Sequence, residues 1–169
     1  MLPYNQEDIV AIATPPGVGA LAVVRISGVS LKQLYKKFTH KAPKNRFASF
    51  SKLYHPKKNT ILDEAVVTYF ESPNSFTGED VIEISCHGGE SVKHSIVHAA
   101  LDCGARLAGP GEFTLRSFLN GKMDLIQAEA VSALISSKTP LSSEVSLYHL
   151  EGIIIKIILV WILVYKDHQ

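Results

Sequence analysis

Hydrophobic and polar residues alternate along one short segment near the middle of this chain. Residues 80–86 alternate between two sets, one of Ile82, Ile84 and Cys86 and the other of Val81, Glu83 and Ser85. A period of two residues predicts a β-strand, in which successive side chains point to opposite faces. Whichever face holds Ile82 and Ile84, Glu83 lies on the other one. We therefore expect the Glu83 carboxylate to face solvent or a cleft.

Runs of β-favouring residues predict three further strands, over residues 8–14, 20–27 and 61–71. The first two are separated by the loop Pro15-Pro16-Gly17-Val18-Gly19, and a turn over residues 72–78 precedes the alternating strand. Helices are predicted over residues 30–38 and from 90 to about 102, the second ending at Gly104. The flexible turn His87-Gly88-Gly89 precedes this second helix. The pattern predicts a fold that mixes strands and helices.

Residues 109–124 hold glycine, proline and charged side chains in close succession. We expect a shaped loop that presents Arg116 and Lys122 together as donors to an anionic or polar ligand. A solvated connector is the alternative. Asp124 then occupies an N-cap position, and apolar residues at helical spacing predict that a helix follows. The apolar positions of this helix are Leu125, Ala128, Val131, Leu134 and Ile135.

The composition is that of a globular chain with an uneven charge distribution. A length of 169 residues fits one domain, or one domain with an attached piece, and a hydrophobic fraction of 46% is enough for a core. The net charge is +1, yet nine of the 17 Lys and Arg residues lie between Lys32 and Lys58, where no acidic residue occurs. A basic surface of this kind fits a polyanion such as RNA. A solvated helix and loop is the alternative.

Cysteine and histidine usage narrows the possible classes of protein. Cys86 and Cys103 are too few and too far apart for a disulfide framework or a zinc knuckle, so we interpret them as cytosolic thiols. Residues 1–8 lack the basic flank and the apolar run of a secretory signal, so we expect a cytoplasmic protein. His94 and His98 stand four residues apart, but the sequence places no third ligand, and we predict no metal site.

A series of short motifs runs along most of the chain. The motifs are Ala13-Thr-Pro-Pro-Gly17, Val24-Arg-Ile-Ser-Gly28, Pro73-Asn-Ser-Phe-Thr-Gly-Glu-Asp80, His87-Gly-Gly89, Pro110-Gly-Glu-Phe113, Phe118-Leu-Asn120 and the helix start from Asp124 to Ala130. In this order they resemble the amino-terminal part of the MnmE/TrmE family, which are GTPases of tRNA modification. The resemblance covers residues 8 to about 152.

The resemblance implies an α+β fold: a mixed sheet with flanking helices, similar to tetrahydrofolate-binding domains, followed by the beginning of a helical domain. We expect a folate-binding and dimerisation domain over residues 1–122 and the helical part over residues 123–169. By resemblance the domain binds 5-formyl-tetrahydrofolate, the one-carbon donor for the wobble uridine of tRNA, through Arg25, Glu83 and Lys122. The resemblance also implies a homodimer that works with tRNA and with the FAD-dependent MnmG/GidA protein, and not at a membrane.

The residue types implied by the resemblance suit this ligand. A pterin edge offers an amino group and a ring N–H, which a carboxylate such as Glu83 accepts in bidentate fashion. Arg25 and Lys122 suit carbonyl or glutamate groups. A structural alternative for Arg25 is a weak ion pair with Glu7 or Asp8.

Other features depart from the family pattern. Val18, Gly109 and Leu115 stand where the family has charged or polar residues, which predicts weaker folate binding. The chain has no Gly-x-x-x-x-Gly-Lys-Ser/Thr phosphate loop, and residues 153–165 are apolar except for Lys156. We therefore expect a truncated chain with no catalytic residue and no GTP, potassium or magnesium site. The alternatives are a remnant or scaffold without ligand and a stand-alone RNA-binding module.

Overall fold

The computed structural model describes residues 7–152, and these residues form six strands and five helices. In chain order the elements are β1 (Ile9–Ile12), β2 (Leu21–Gly28), α1 (Lys32–Thr39), β3 (Ser49–Tyr54), β4 (Ile61–Phe70), β5 (Asp80–His87), α2 (Glu90–Leu101), β6 (Arg106–Leu107), α3 (Glu112–Leu119), α4 (Leu125–Ser136) and α5 (Pro140–Leu150). The chain divides into two compact units, the first ending at Phe113 and the second beginning at Thr114. Within the described residues, no helix is long and apolar enough to cross a membrane.

The first unit is built on a six-stranded sheet with the strand order β3-β4-β5-β2-β1-β6. Neighbouring strands are antiparallel, except that β1 and β6 are parallel. The sheet is therefore mixed, and the α+β fold predicted from the sequence is confirmed. The division of the chain between residues 122 and 123 stays a prediction.

One face of this sheet carries the core. Val24 of β2 lies opposite Ile84 of β5, and both side chains are fully buried. α1 contributes Phe38 and α2 contributes Ile96 to the same apolar cluster. Each such side chain stabilises the fold by about 1.5–3 kcal/mol when it is taken out of water. The core therefore holds the central strands β2 and β5 in a fixed register.

The opposite face of the sheet carries Arg25 and Glu83, as the alternation of β5 predicted. Leu21, Phe50 and Val66 lie on this same face by register, and their side chains are 69%, 65% and 37% exposed. The face thus combines a charged pair at its centre with exposed apolar side chains around it.

β3 lies inside the basic segment, where the sequence predicted no strand. It alternates the buried residues Ser51 and Leu53 with the exposed residues Phe50 and Lys52. The small polar and charged residues of this strand carry little β-propensity, so pairing with β4 decides its conformation. β6, which has two residues, was also not predicted.

α3 lies in the middle of the segment that was expected to be a loop, so that expectation was wrong there. Gly109, Pro110 and Gly111 form only a turn, and Gly111 has a positive φ of 70°. The helix begins directly afterwards at Glu112, whose carboxylate accepts a 2.8 Å hydrogen bond from the Gly109 backbone N–H. A carboxylate in the first turn of a helix is favoured by the helix dipole.

The second unit contains α4 and α5, which pack against each other. The predicted N-cap of α4 is confirmed: Asp124 accepts from the Gln127 backbone N–H and the Gln127 side chain accepts from the Asp124 backbone N–H, both at 2.9 Å. The predicted apolar face is less buried than expected, since Leu125 is 59% and Ile135 81% exposed. The apolar run over residues 153–165 lies outside the described residues.

Candidate ligand-binding site

Arg25 and Glu83 form an ion pair across the two central strands. They are register partners in β2 and β5, so the sheet itself places their side chains side by side on one face. The Arg25 Nη2 atom lies 2.6 Å from Glu83 Oε1, and Arg25 Nε donates to the same oxygen at 2.9 Å. The two side chains are 26% and 29% exposed, so the pair is half-buried but open to a ligand.

Two aromatic rings flank the guanidinium of Arg25. Its Cζ atom lies 5.3 Å from the ring centroid of Phe76 and 5.6 Å from that of Phe113. Cation–π contacts of this kind contribute about 0.5–1 kcal/mol each at partly exposed sites. The rings limit the rotamers that Arg25 can adopt, and they add a flat apolar surface beside the charged pair.

The turn that carries Phe76 is anchored to β2 by buried polar contacts. The Ser27 hydroxyl lies 2.7 Å from Thr77 Oγ1 and donates to Glu79 Oε2 at 2.7 Å. All three side chains are buried. Because Ser27 lies two residues after Arg25 on the same strand, these bonds fix the position of the turn relative to the ion pair.

Asp80, at the start of β5, provides a second anchor for the same turn. Its carboxylate accepts hydrogen bonds from the Tyr69 hydroxyl, from Leu31 N at 3.1 Å and from Ser72 N at 3.0 Å. Burial, and then the hydrogen bond to Asp80, raise the pKa of the Tyr69 hydroxyl. Tyr69 therefore stays protonated and keeps donating at all ordinary pH values.

The segment that carries Phe113 is held by Arg106 of β6. Its Nη1 and Nη2 atoms contact the two carboxylate oxygens of Glu112 at 2.8 and 2.6 Å, and its Nε donates to Glu7 at 2.8 Å. The hydrogen bonds to Glu112 and Glu7 raise the pKa of the Arg106 guanidinium further. This bidentate contact fixes the first turn of α3 to the sheet edge, and so it fixes Phe113 beside Arg25.

Comparison with known proteins identifies the family to which the chain belongs. The model of the family described as "GTP-binding protein TrmE N-terminus" matches residues 8–122. This chain belongs to the TrmE N-terminal family. The resemblance found in the sequence motifs is thereby confirmed.

Relatives of this TrmE N-terminal chain carry the name "tRNA modification GTPase MnmE". The protein from Aquifex aeolicus (strain VF5) is 49% identical over 87% of this chain, and the one from Francisella tularensis subsp. novicida (strain U112) is 44% identical over 88% of it. These matches cover 33% of each relative. The chain therefore spans about a third of the length of these relatives.

Of the three site residues expected from the TrmE family, Arg25 and Glu83 lie together, and Lys122 belongs to the second unit. Lys122 is exposed and follows α3, and its backbone N–H donates to the Ser117 carbonyl at 2.9 Å. Arg116 was expected to be presented beside Lys122, but it is fully buried, so that expectation was wrong. The reason is α3, which turns Arg116 and Ser117 to its buried face.

Sequence reasoning missed Phe76 and Phe113 as parts of this site in a TrmE-family chain. Both lie inside motifs that resemble the family, but neither carries a charge or a hydrogen-bonding group that marks it as a site residue. The structural alternative for Arg25 was an ion pair with Glu7 or Asp8. In the structure Arg25 pairs with Glu83, and Glu7 pairs with Arg106.

The basic segment is partly used to hold the first unit together. Four of its cationic side chains make internal contacts: Lys32 with Glu71, Lys41 with the Phe50 carbonyl, Lys44 with the Phe47 ring and Arg46 with the Asn74 carbonyl. These contacts give nearly half of the nine cations a structural explanation, which weakens the case for one continuous RNA-binding face.

Proposed function

We propose that this chain is the folate-binding and dimerising part of a tRNA wobble-uridine modification protein, and that it binds 5-formyl-tetrahydrofolate. The observation that carries the proposal is the Arg25–Glu83 pair, which lies at the centre of the sheet face between Phe76 and Phe113. Membership of the TrmE N-terminal family supports the same function. When bound, the folate would supply the one-carbon unit, and the chain would hold and orient it.

The chemistry of the pair fits a pterin. The hydrogen bond and the ion-pair contact from Arg25 both end on Glu83 Oε1, and within the described residues no hydrogen bond reaches Oε2. Oε2 can therefore accept a hydrogen bond from a pterin edge, through one carboxylate oxygen and not through both, and the Arg25 guanidinium can donate to a ring carbonyl. Phe76, which is 37% exposed, offers a surface on which a planar ring packs well.

We assign to Lys122 the carboxylates of the folate glutamate. Its exposed ammonium is a mobile point charge, which suits the outer end of a ligand better than the pterin. The departures from the family pattern leave the Arg25–Glu83 pair intact. Val18 and Leu115 are 82% and 51% exposed, and Gly109 donates its backbone N–H to Glu112.

We also propose that the chain forms a homodimer through the sheet face that carries the pair. Leu21, Phe50 and Val66 expose apolar surface there, and such surface marks interaction sites in soluble proteins. The remaining partners of the proposed function are tRNA and the FAD-dependent MnmG/GidA protein, and its location is the cytoplasm. Membership of the family is the observation that supports these partners.

Calorimetric titration with 5-formyl-tetrahydrofolate tests the proposed function directly. A folate-binding module gives saturable heat, whereas a remnant or scaffold without ligand gives none. A stand-alone RNA-binding module would bind RNA but not the folate. The folate titration therefore separates a folate-binding module from the other two alternatives, and a parallel titration with RNA separates those two from each other.

A further inference from the structure

A cavity of about 460 Å³ lies between the turn that joins β3 to β4 and the C-terminal half of α2. Its lining includes neither Arg25 nor Glu83. Pockets for small ligands have volumes of roughly 300–1,000 Å³. The cavity is therefore large enough for a small molecule, and the proposed folate site does not account for it.

The wall of this cavity is built around a buried histidine. His55 is 6% exposed, and both of its ring nitrogens are engaged. Nδ1 accepts from the backbone N–H groups of Lys57 and Lys58 at 3.2 and 3.4 Å, so the ring proton lies on Nε2. Nε2 lies 3.3 Å from Asp102 Oδ2 at the end of α2. The histidine thus ties the turn to the helix.

Backbone hydrogen bonds hold the same turn rigid. His55 N donates to the Thr60 carbonyl and Asn59 N donates to the His55 carbonyl, both at 2.8 Å. Asn59 has a positive φ of 56°, as the tight reversal of the chain requires. Lys58 therefore lies on a hydrogen-bonded turn beside the cavity.

The side chains around the cavity favour an anionic group. Lys58, Thr60, Ser95 and His98 line it, and each can donate a hydrogen bond to an oxyanion. Burial raises the pKa of the Cys103 thiol, the charges of Lys37 and Lys57 oppose that rise, and Asp102 adds to it, so charges of both signs lie near the end of α2.

The Asp102 carboxylate adds a hydrogen-bond acceptor to the lining of the cavity. It is 48% exposed and contacts His55 through Oδ2. It can still accept a hydrogen bond from a ligand hydroxyl. A metal ion is a poorer fit, because within residues 7–152 no group of three or more His, Cys, Asp and Glu side chains is arranged to hold one.

We propose that this cavity binds a small sugar phosphate: the phosphate monoester contacts Lys58, Ser95 and Thr60, and a hydroxyl of the sugar donates to Asp102. A phosphate monoester has several acceptor oxygens and so satisfies an ammonium and two hydroxyls at once. The cavity lies apart from the proposed folate site, since its lining contains neither Arg25 nor Glu83.

Titration with ribose 5-phosphate, followed by NMR chemical-shift changes, tests this site, with ribose and inorganic phosphate as comparison ligands. We expect ribose 5-phosphate to saturate the protein and to bind more tightly than either comparison ligand. Lys58→Ala should weaken binding about tenfold, because a charge-assisted hydrogen bond is lost. Ser95→Ala should weaken it less. Lys52→Ala is the matched control: it removes an exposed lysine of β3 that does not line the cavity, and it should leave binding unchanged.

Several results would overturn the proposal. One is the absence of saturation at about 10 mM ribose 5-phosphate, which corresponds to less than about 3 kcal/mol of binding free energy. Another is equal weakening by Lys58→Ala and Lys52→Ala, which indicates a diffuse basic surface. A third is tighter binding of a single-stranded RNA oligonucleotide than of ribose 5-phosphate, which assigns the lysines to RNA. Because ribose 5-phosphate contains no pterin, failure here leaves the folate titration unaffected.

Discussion

Arg25 and Glu83 occupy the middle of one row of residues that crosses the sheet, and a 2.6 Å contact joins them. The row continues with Ala11 of β1 beside Arg25 and with Thr68 of β4 beside Glu83. Both neighbours are small, so the space above the pair is not filled from either side along the row. The charged pair thus has small neighbours along the row and two aromatic rings beside its guanidinium.

Replacing Phe76 by Ala should weaken the binding of 5-formyl-tetrahydrofolate about two- to fivefold. The reason is the loss of a cation–π contact worth about 0.5–1 kcal/mol, which orients Arg25. Phe47→Ala is the matched control, because the Phe47 ring lies 5.4 Å from Lys44 in a similar contact away from the pair. Isothermal titration calorimetry compares the two variants. Equal affinities in both would mean that Phe76 plays no part in the site.

Gly88→Ala should destabilise the first unit by about 1–3 kcal/mol. A Cβ atom at Gly88 would stand 2.3 Å from the Gly19 carbonyl oxygen. This oxygen belongs to the backbone, so relieving the clash requires a shift of the main chain. At Gly89 the nearest atom would be Val92 Cγ2 at 3.9 Å, so Gly89→Ala should cost under about 1 kcal/mol. Urea denaturation followed by circular dichroism measures both. A Gly88→Ala midpoint equal to that of the wild type contradicts this packing.

Asp124→Ala should lower stability by about 0.5–2 kcal/mol, because the capping box at the start of α4 is lost. Asp124→Asn should retain most of the stability, since asparagine caps a helix about as well as aspartate. Thermal denaturation monitored by helical circular dichroism distinguishes the two. If Asn proves as harmful as Ala, the carboxylate acts through its charge and not through its hydrogen bond to Gln127.

Phe50→Glu should shift the chain from dimer to monomer. Phe50 is 65% exposed on the sheet face proposed for dimerisation, and a buried unpaired carboxylate would oppose association. Ile135→Glu is the control, because Ile135 is 81% exposed in the second unit. Light scattering over a range of concentrations reports the mass. A wild-type chain that stays monomeric at every concentration removes the basis of this prediction.

The part of the fold that was predictable from the sequence rests on local pattern. The alternation around Ile82 and Ile84 predicted β5 and the orientation of Glu83, because a strand with one buried face has a period of two. Asp124 was predicted as an N-cap because its hydrogen bond to Gln127 is local. Such features depend on neighbouring residues and can be read without knowing the rest of the fold.

The features that could not be predicted depend on contacts between distant residues. β3 is extended because it pairs with β4. Its buried positions include a serine as well as Leu53, so the alternation of buried and exposed residues is not visible as a hydrophobic pattern. A charged side chain such as that of Arg116 is expected to be exposed, yet Arg116 is fully buried. Phe76 and Phe113 meet Arg25 only because the sheet and two turns bring them there.

The measurement that tests the central claim most directly is the affinity of the chain for 5-formyl-tetrahydrofolate before and after Glu83→Gln. Replacing one acceptor oxygen by a donor removes a charge-assisted pair worth about 1.5–3 kcal/mol, so affinity should fall roughly tenfold to a hundredfold. Thermal stability should barely change, because a half-exposed ion pair contributes about 0–1 kcal/mol.

Glu64→Gln serves as the control, because Glu64 is an exposed glutamate of β4 opposite Lys52, away from the pair. We predict calorimetric saturation in the wild type and in Glu64→Gln, and a tenfold or greater loss of affinity in Glu83→Gln alone. A wild-type chain that binds no folate, or a Glu83→Gln chain that binds it as tightly as the wild type, would contradict the proposed site.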